Sequence, residues 1–418
     1  MAGPRKPLAV VAERLRSQLW PIPGLAAVIS LVAAVAMSGV RPASGSLWWP
    51  GEAESGQALL QVLVGSSLTV VALVFSLQVV SLQLAASQYS PRLLRTYVRD
   101  GVTQAALAVL ISTFVFSLVS LALFGAVDRP PRLNVTVAAI LGLSSVAALL
   151  RVVAHIIASL RVETMMARIH ADATGVIRDE VVDVPRADPA PVNPSNASTP
   201  VPAPRSGFVQ AVGRDDLAQF ARDADVLVVL DVIPGDQVFE GVEIGRVDGA
   251  RDTAAAAEQV AKLVLIGHER TPDQDPRFGL TQLVDIGMRA LSPGLNDPTT
   301  AIHAIGHLTD LALQVAGCAA GGVRRTEDSA GSGRLWEPRL DLPSFLEDIC
   351  PPLIRAGAED APVLLALLRL LAVARERADV DSADAIQQQV STLRRAAERA
   401  VQDPSERSYV LERADELR

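Results

Sequence analysis

The stretch ALLQVLVGSSLTVVALVFSLQVVSLQL, residues 58–84, holds no charged side chain and exceeds the ~20 residues an α-helix needs to cross the hydrocarbon of a bilayer. Its apolar residues are spread around the whole helix circumference, so no face is suited to bulk water. Working outward, comparable apolar runs occupy 22–40, 105–126 and 136–160, all within the first 160 residues. The expected fold class is a membrane α-helical domain of four transmembrane helices, followed by a cytosolic α+β domain with a small β-module and a helical C-terminal bundle. Half of all residues are hydrophobic, 20% are charged and the mean hydropathy is +0.30. These values lie on the apolar side of ordinary soluble domains.

Basic residues flanking the runs set an expected topology, because cytoplasmic flanks retain Arg and Lys. Arg5, Lys6, Arg14 and Arg16 precede the first run, Arg92, Arg95 and Arg99 follow the second, and Arg161 and Arg168 follow the fourth. The opposite loops carry Arg41, Arg129 and Arg132. Both termini are therefore expected in the cytoplasm of a multi-pass protein of the bacterial plasma membrane. Trp20, Trp48 and Trp49 stand at the ends of the first run and its outer loop, where indoles favour the interface. The first run is longer than the apolar region of a cleaved signal peptide. A net charge of −8, with no clustered basic face, argues against nucleic acid as a partner. Cys318 and Cys350 lack metal-type spacing and read as two reduced, buried thiols.

Polar residues inside the runs are the informative ones, since hydrocarbon penalises any that lack a partner. In the fourth run Ser144, Arg151, His155 and Ser159 share one helical face. In the second, Thr69, Ser76 and Gln83 form one stripe while Ser67, Gln78 and Ser81 lie opposite. Polar groups on two sides suit a helix enclosed by others. Ser67, Gln78, Ser81, Arg151 and His155 are the candidates for a transmembrane polar path. The competing reading makes Arg151 snorkel to the interface and the hydroxyls ordinary helix-packing contacts.

Beyond 160 the pattern predicts a helical extension over 161–183, a Pro-rich linker over 184–206, a β-module over 207–250 and a mainly helical domain over 251–418. The string VIPGDQVFEGVEIG, residues 232–245, supplies two turns between short strands. It resembles the turns of lipoyl-like hammerhead modules, but no lysine occupies the turn, which excludes a swinging-arm carrier. Residues 364–373 are strongly apolar yet short and interrupted by Arg369, the mark of a core helix rather than a fifth span.

The densest polar segment lies between His268 and His307 and contains RTPDQDPRFG at 270–279 and ALSPGLNDPTTA at 290–301. With FSLQ at 75–78 and SQYSPRLLR at 87–95, these strings resemble the predicted membrane proteins of the domain of unknown function 2254 family, over about 15–371. The resemblance implies a four-span bacterial membrane protein with a soluble C-terminal part, and no particular activity.

Read physically, the segment offers Arg270, Asp273, Asp275, Asp285, Arg289, Asn296, Asp297, Thr299 and Thr300 as a candidate binding or structural network. Asp285 and Arg289 have the spacing of an intrahelical ion pair. Asp297-Pro298 has the form of a helix start, a carboxylate cap before a first-turn proline. His303 and His307 stand at i and i+4, a spacing able to chelate zinc if Asp285 or Asp297 converged with them. No His-Glu-x-x-His string accompanies them, and neither a metal nor a cofactor is expected. No catalytic residue is assigned: the chain has no nucleophile elbow, phosphate-binding loop or dinucleotide fingerprint. Two function classes follow. One is a homo-oligomeric channel or transporter for an ion or small solute, with a cytosolic regulatory domain. The other is a membrane-anchored ligand sensor, scaffold or enzyme.

Overall fold

The structure, a computed structural model, describes residues 20–38, 49, 52–88, 101–124, 132–159, 161–182, 198–318, 322–325 and 335–417. The chain divides into two compact units, Met1–Thr164 and Met165–Arg418.

The first unit contains α1 (Pro21–Ser38), α2 (Ala53–Gln88), α3 (Gly101–Phe124) and α4 (Arg132–Ser159). All four are long and apolar enough to cross a membrane. The central helix is α3, which packs against each of the other three. Around it lie two apolar layers. One joins Val74 of α2, Leu107 and Leu110 of α3, and Val152 and Ile156 of α4. The other joins Ala34, Leu60, Phe116, Val135 and Ala138. Large apolar side chains also cover the outside, with Leu143 75% and Leu150 67% exposed. That distribution would be untenable in water and is ordinary in lipid.

The second run, whose two polar sides suit a helix enclosed in a bundle or an oligomer, is not the enclosed helix within the single chain. Its stripe Thr69, Ser76 and Gln83 is exposed, and α3 takes the enclosed place with Thr103, Gln104, Thr113, Ser117 and Ser120 buried. The helix with most polar residues need not be central; position depends on which surfaces interlock, and α3 presents small and polar side chains on several sides.

The second unit begins in α5 (Val162–Ile177), followed by a π-helical turn at Arg178–Val182. Then come β1 (Thr199–Pro202), β2 (Gly207–Val212), α6 (Arg214–Asp223), β3 (Leu227–Leu230), β4 (Gln237–Val238), β5 (Glu243–Asp248), α7 (Thr253–Leu263) and β6 (Val264–Gly267). The remainder is α8 (Pro276–Ala290), α9 (Pro298–Ala316), β7 (Gly322–Arg325), β8 (Leu335–Pro338), α10 (Leu342–Ala356), α11 (Ala361–Arg375), α12 (Val380–Ala400) and α13 (Pro404–Asp415).

Two sheets form, in the orders β1-β5-β3-β8-β7 and β4-β2-β6. All neighbours are antiparallel except β3 and β8, which run parallel with Val228 opposite Leu335. Strand β3 reads Leu-Val-Val-Leu without alternation because it is the middle strand and nearly all of it is buried. Leu217 and Ala221 of α6 and Ala257 and Val260 of α7 close the same core over Val228, Leu230, Ile244 and Ile266.

The β-region therefore departs from its expected boundaries. Strand β1 lies within the stretch read as linker, while β6, β7 and β8 come from beyond residue 250. Thr199–Pro202 carries two prolines and pairs only with β5, an edge position that tolerates missing backbone N–H groups.

Helices α8 to α13 build the apolar bundle, with Leu283, Leu308, Leu311, Phe345, Leu353, Leu364, Leu371, Val390 and Leu393 fully buried. The stretch at 364–373 is a core helix of this bundle, with Arg369 exposed. Every helix from α7 to α13 starts on an aspartate whose side chain accepts a hydrogen bond from a first-turn backbone N–H.

Candidate functional site

Chemistry-bearing groups gather in one place in each unit. In the first unit it is the interior of the bundle. The Asn134 Nδ2 group donates to the carbonyl of Ala34 at 2.9 Å and to Ser120 Oγ at 3.1 Å. Thr113 Oγ1 lies 2.7 Å from Ser145 Oγ and also reaches the Val109 and Leu141 carbonyls. Four buried polar atoms have no hydrogen-bond partner among the described residues: Gln78 Oε1, Ser81 Oγ, Ser117 Oγ and Asn134 Oδ1. Each such atom in hydrocarbon costs on the order of 1–3 kcal/mol.

Helix register places these groups on both sides of an apolar collar. Gln78 lies one turn along α2 from Val74, Thr103 and Gln104 one turn before Leu107, and His155 one turn after Val152. Thr113, Ser117 and Ser120 follow on α3 past Leu110. Of the predicted path residues, Ser67 and Ser81 are buried, Gln78 and His155 half-buried and Arg151 exposed. Asn134 and the α3 hydroxyls were missed by sequence reasoning. Their signal was present as polar residues spaced three and four apart on α3, at Thr113, Ser117 and Ser120.

In the second unit the polar cluster forms at the start of α8, inside RTPDQDPRFG. Asp275 caps α8 by accepting from the Arg277 backbone N–H at 3.0 Å. Its carboxylate is also held by Arg270 through a fork, Nε at 2.7 Å and Nη2 at 3.0 Å. Burial pushes the Asp275 carboxyl above its usual range, against the opposing pull of Arg270 and the Arg277 backbone. Arg277 spans outward to Asp236 at 3.2 Å and to Asp348 of α10 at 3.1 Å. Burial raises the Asp348 carboxyl too, with Arg277 opposing.

The turn at Pro234-Gly-Asp236 closes over this cluster. Gly235 has φ +101°, and a Cβ there would stand 2.5 Å from the Asp275 carboxylate oxygens, so only glycine fits. Gly279 plays the matching part on α8: a Cβ would meet Ala173 of α5 at 2.6 Å. Both glycines allow backbone to approach the motif closely. A second buried cluster stands near it, where Arg214 Nε donates to both Glu337 carboxylate oxygens, at 2.8 and 2.7 Å, and Nη1 pairs with Glu180. The three partners lie far apart in sequence, which is why no local pattern reveals them.

The nine residues read as one network do not converge. Arg270 and Asp275 sit at the start of α8, while Asn296, Asp297, Thr299 and Thr300 lie past its end, about 22 Å away at 1.5 Å per residue. Asp297 caps α9, accepting from the Thr300 backbone N–H at 3.1 Å and its hydroxyl at 2.6 Å. These bonds hold its carboxyl below the usual range and fill the helix start. Asp273 is exposed; Asp285 and Arg289 lie between the two ends on α8.

The two histidines of α9 also part company: His303 is exposed, whereas the His307 ring lies 5.0 Å from that of His170 on α5. His170 Nε2 in turn is 2.8 Å from Asp310 Oδ2. Among the described residues no three His, Cys, Asp or Glu side chains converge on a metal position. Neither Cys318 nor Cys350 forms a disulfide; Cys318 is half-buried rather than buried as expected, and full burial pushes the Cys350 thiol up to about 12.

The motifs and the four helices can now be set beside other proteins. Residues 16–373 match the family described as predicted membrane protein DUF2254. The chain belongs to that family. An uncharacterised protein of Mycobacterium tuberculosis strain CDC 1551 is 35% identical to it, over 96% of this chain and 80% of its own length. An uncharacterised Mycobacterium bovis protein is 34% identical over the same shares. No solved structure matches. This DUF2254 chain is thus a predicted membrane protein with four apolar helices, and two of its family strings, RTPDQDPRFG and ALSPGLNDPTTA, form opposite ends of α8. The string SQYSPRLLR at 87–95 lies mostly outside the described residues.

Proposed function

We propose that this protein is a homo-oligomeric channel or transporter for an ion or small polar solute in the bacterial plasma membrane, with both termini and a regulatory second unit in the cytoplasm. The observation that carries this reading is the set of unpartnered polar atoms on Gln78, Ser81, Ser117 and Asn134 within a bundle of membrane-length helices. A bundle serving only as an anchor gains nothing by burying them, whereas a hydrated or solute-lined route uses them as ligands. The collar at Val74, Leu107, Leu110 and Val152 is the natural closure of such a route, since an apolar constriction gates by dewetting. Oligomerisation has its own support in α2, whose Thr69, Ser76 and Gln83 point away from the subunit's own core.

The test is flux of monovalent ions, then of small neutral solutes, in liposomes containing the purified full chain. Ser117→Val and Ser81→Ala should each lower flux at least severalfold without lowering thermal stability, and Leu110→Ser should raise it. Absence of flux with all solutes, together with ligand binding or turnover confined to the second unit, would favour the anchored sensor or enzyme.

A further inference from the structure

A groove of about 400 Å³ runs between α3 and α4, lined by Gly101, Ala105 and Val109 on one side and by Ala148 and Arg151 on the other. The three α3 residues recur every fourth position, so they form one continuous row about 12 Å long. The groove exists because these side chains are small: a Cβ added at Gly101 would meet nothing within 4 Å. Arg151 is exposed and makes no hydrogen bond or ion pair with any described residue. Within α1 to α4 it is the only charged side chain away from a first helical turn.

A lone guanidinium facing lipid is costly, and its surroundings indicate what offsets the cost. Gly101, the first residue of α3, lines the same groove, so Arg151 stands level with the point where α3 begins rather than at mid-membrane. A groove on the outside of a membrane bundle is filled by whatever the bilayer supplies. We infer that it holds an anionic phospholipid, with one acyl chain along Gly101, Ala105, Val109 and Ala148 and the headgroup phosphate on the Arg151 guanidinium. The pairing is charge-complementary, and a planar guanidinium can grip phosphate oxygens in fork geometry. It also accounts for an apolar slot and a cation with no partner among the described residues sharing one cleft. The site is separate from the enclosed polar interior, so its existence does not depend on the transport reading.

Native mass spectrometry of the full chain, extracted from bilayers containing equal amounts of phosphatidylglycerol and phosphatidylcholine, tests this. The wild type should retain phosphatidylglycerol preferentially. Arg151→Gln should lower that preference about fivefold, the effect of one basic side chain near a membrane phosphate, and Arg151→Lys should keep most of it. Ala148→Leu, which fills the slot and leaves the charge, should lower retention of bound lipid while thermal stability in detergent is unchanged. Equal retention of the two lipids by the wild type would overturn the proposal, as would unchanged preference in Arg151→Gln or unchanged lipid retention in Ala148→Leu. Cysteine cross-linking from Ala105→Cys to a second copy, or to a cysteine placed in residues 89–100, would overturn it by assigning the groove to protein.

Discussion

The two units distribute polarity in opposite senses. In the first, Leu143 and Leu150 stand exposed while Asn134, Thr113, Ser117 and Ser120 are buried; in the second, Leu308, Leu364 and Leu371 are buried and aspartates cap the starts of α7 to α13. The difference teaches what defines a helix in each setting. Helices α7 to α13 are each started by an aspartate cap, because water competes for their terminal N–H groups. The four helices of membrane-spanning length are defined by the length of an apolar run, because hydrocarbon would offer the backbone no alternative partner. Where polar groups are buried, the second unit pairs them by charge, as in Arg270–Asp275 and Arg214–Glu337. The first unit uses amides and hydroxyls, as in Asn134–Ser120 and Thr113–Ser145.

The sharpest way to break this contrast is Asp275→Ala. It strands Arg270 beside the Pro234-Gly-Asp236 turn and removes the α8 cap, so a loss of about 3 kcal/mol or more is expected. Thermal unfolding of the full chain should show the second unit melting earlier while helical signal from the first persists. A smaller effect is expected from Asn134→Leu, which leaves Ser120 without its donor. About 1 kcal/mol should be lost, the scale of hydrogen bonds between membrane helices, read as unfolding in graded SDS. If this substitution cost as much as Asp275→Ala, the polar interior would be a stability element equal to the charge cluster.

The smallest effect concerns the His170–His307 contact. Burial, with His170 adding to it, lowers the His307 pKa below its ordinary 6.5. The folded state therefore binds fewer protons than the unfolded, so this contribution is fully present above about pH 6.5 and is lost as pH falls through the depressed value. Unfolding midpoints between pH 7.5 and 5 should fall modestly in the wild type, and His307→Gln should flatten that part of the profile.

Much of the architecture could be read from local pattern. Four apolar runs, only the fourth of them carrying a charge, at Arg151, specify four long helices, since run length against bilayer thickness needs no tertiary knowledge. Asp297-Pro298 was readable as a helix start for the same reason, because a cap acts within three residues. The segment at 364–373 was correctly read as core because its length and Arg369 disfavour a span.

The site was far less readable. Arg270 and Asp275 are neighbours in sequence and in space, but Asp236 and Asp348, the partners of the adjacent Arg277, are far from it in sequence, and Asn296 to Thr300 proved to be a separate helix start. The β-region was drawn too narrowly for the same reason: β3 pairs with β8 more than a hundred residues later, and no hydrophobic alternation announces a partner at that range.

The sequence by itself determined which segments suit lipid, that Asp297-Pro298 starts a helix and that 364–373 is a core helix rather than a fifth span. Tertiary structure alone decided that α3 is the enclosed helix, that Gly235 closes over Asp275, and that Arg151 shares a groove with Gly101. The physical reason is range: propensity, capping and hydropathy act over a few residues, whereas enclosure, ion pairing and grooves depend on which distant surfaces interlock.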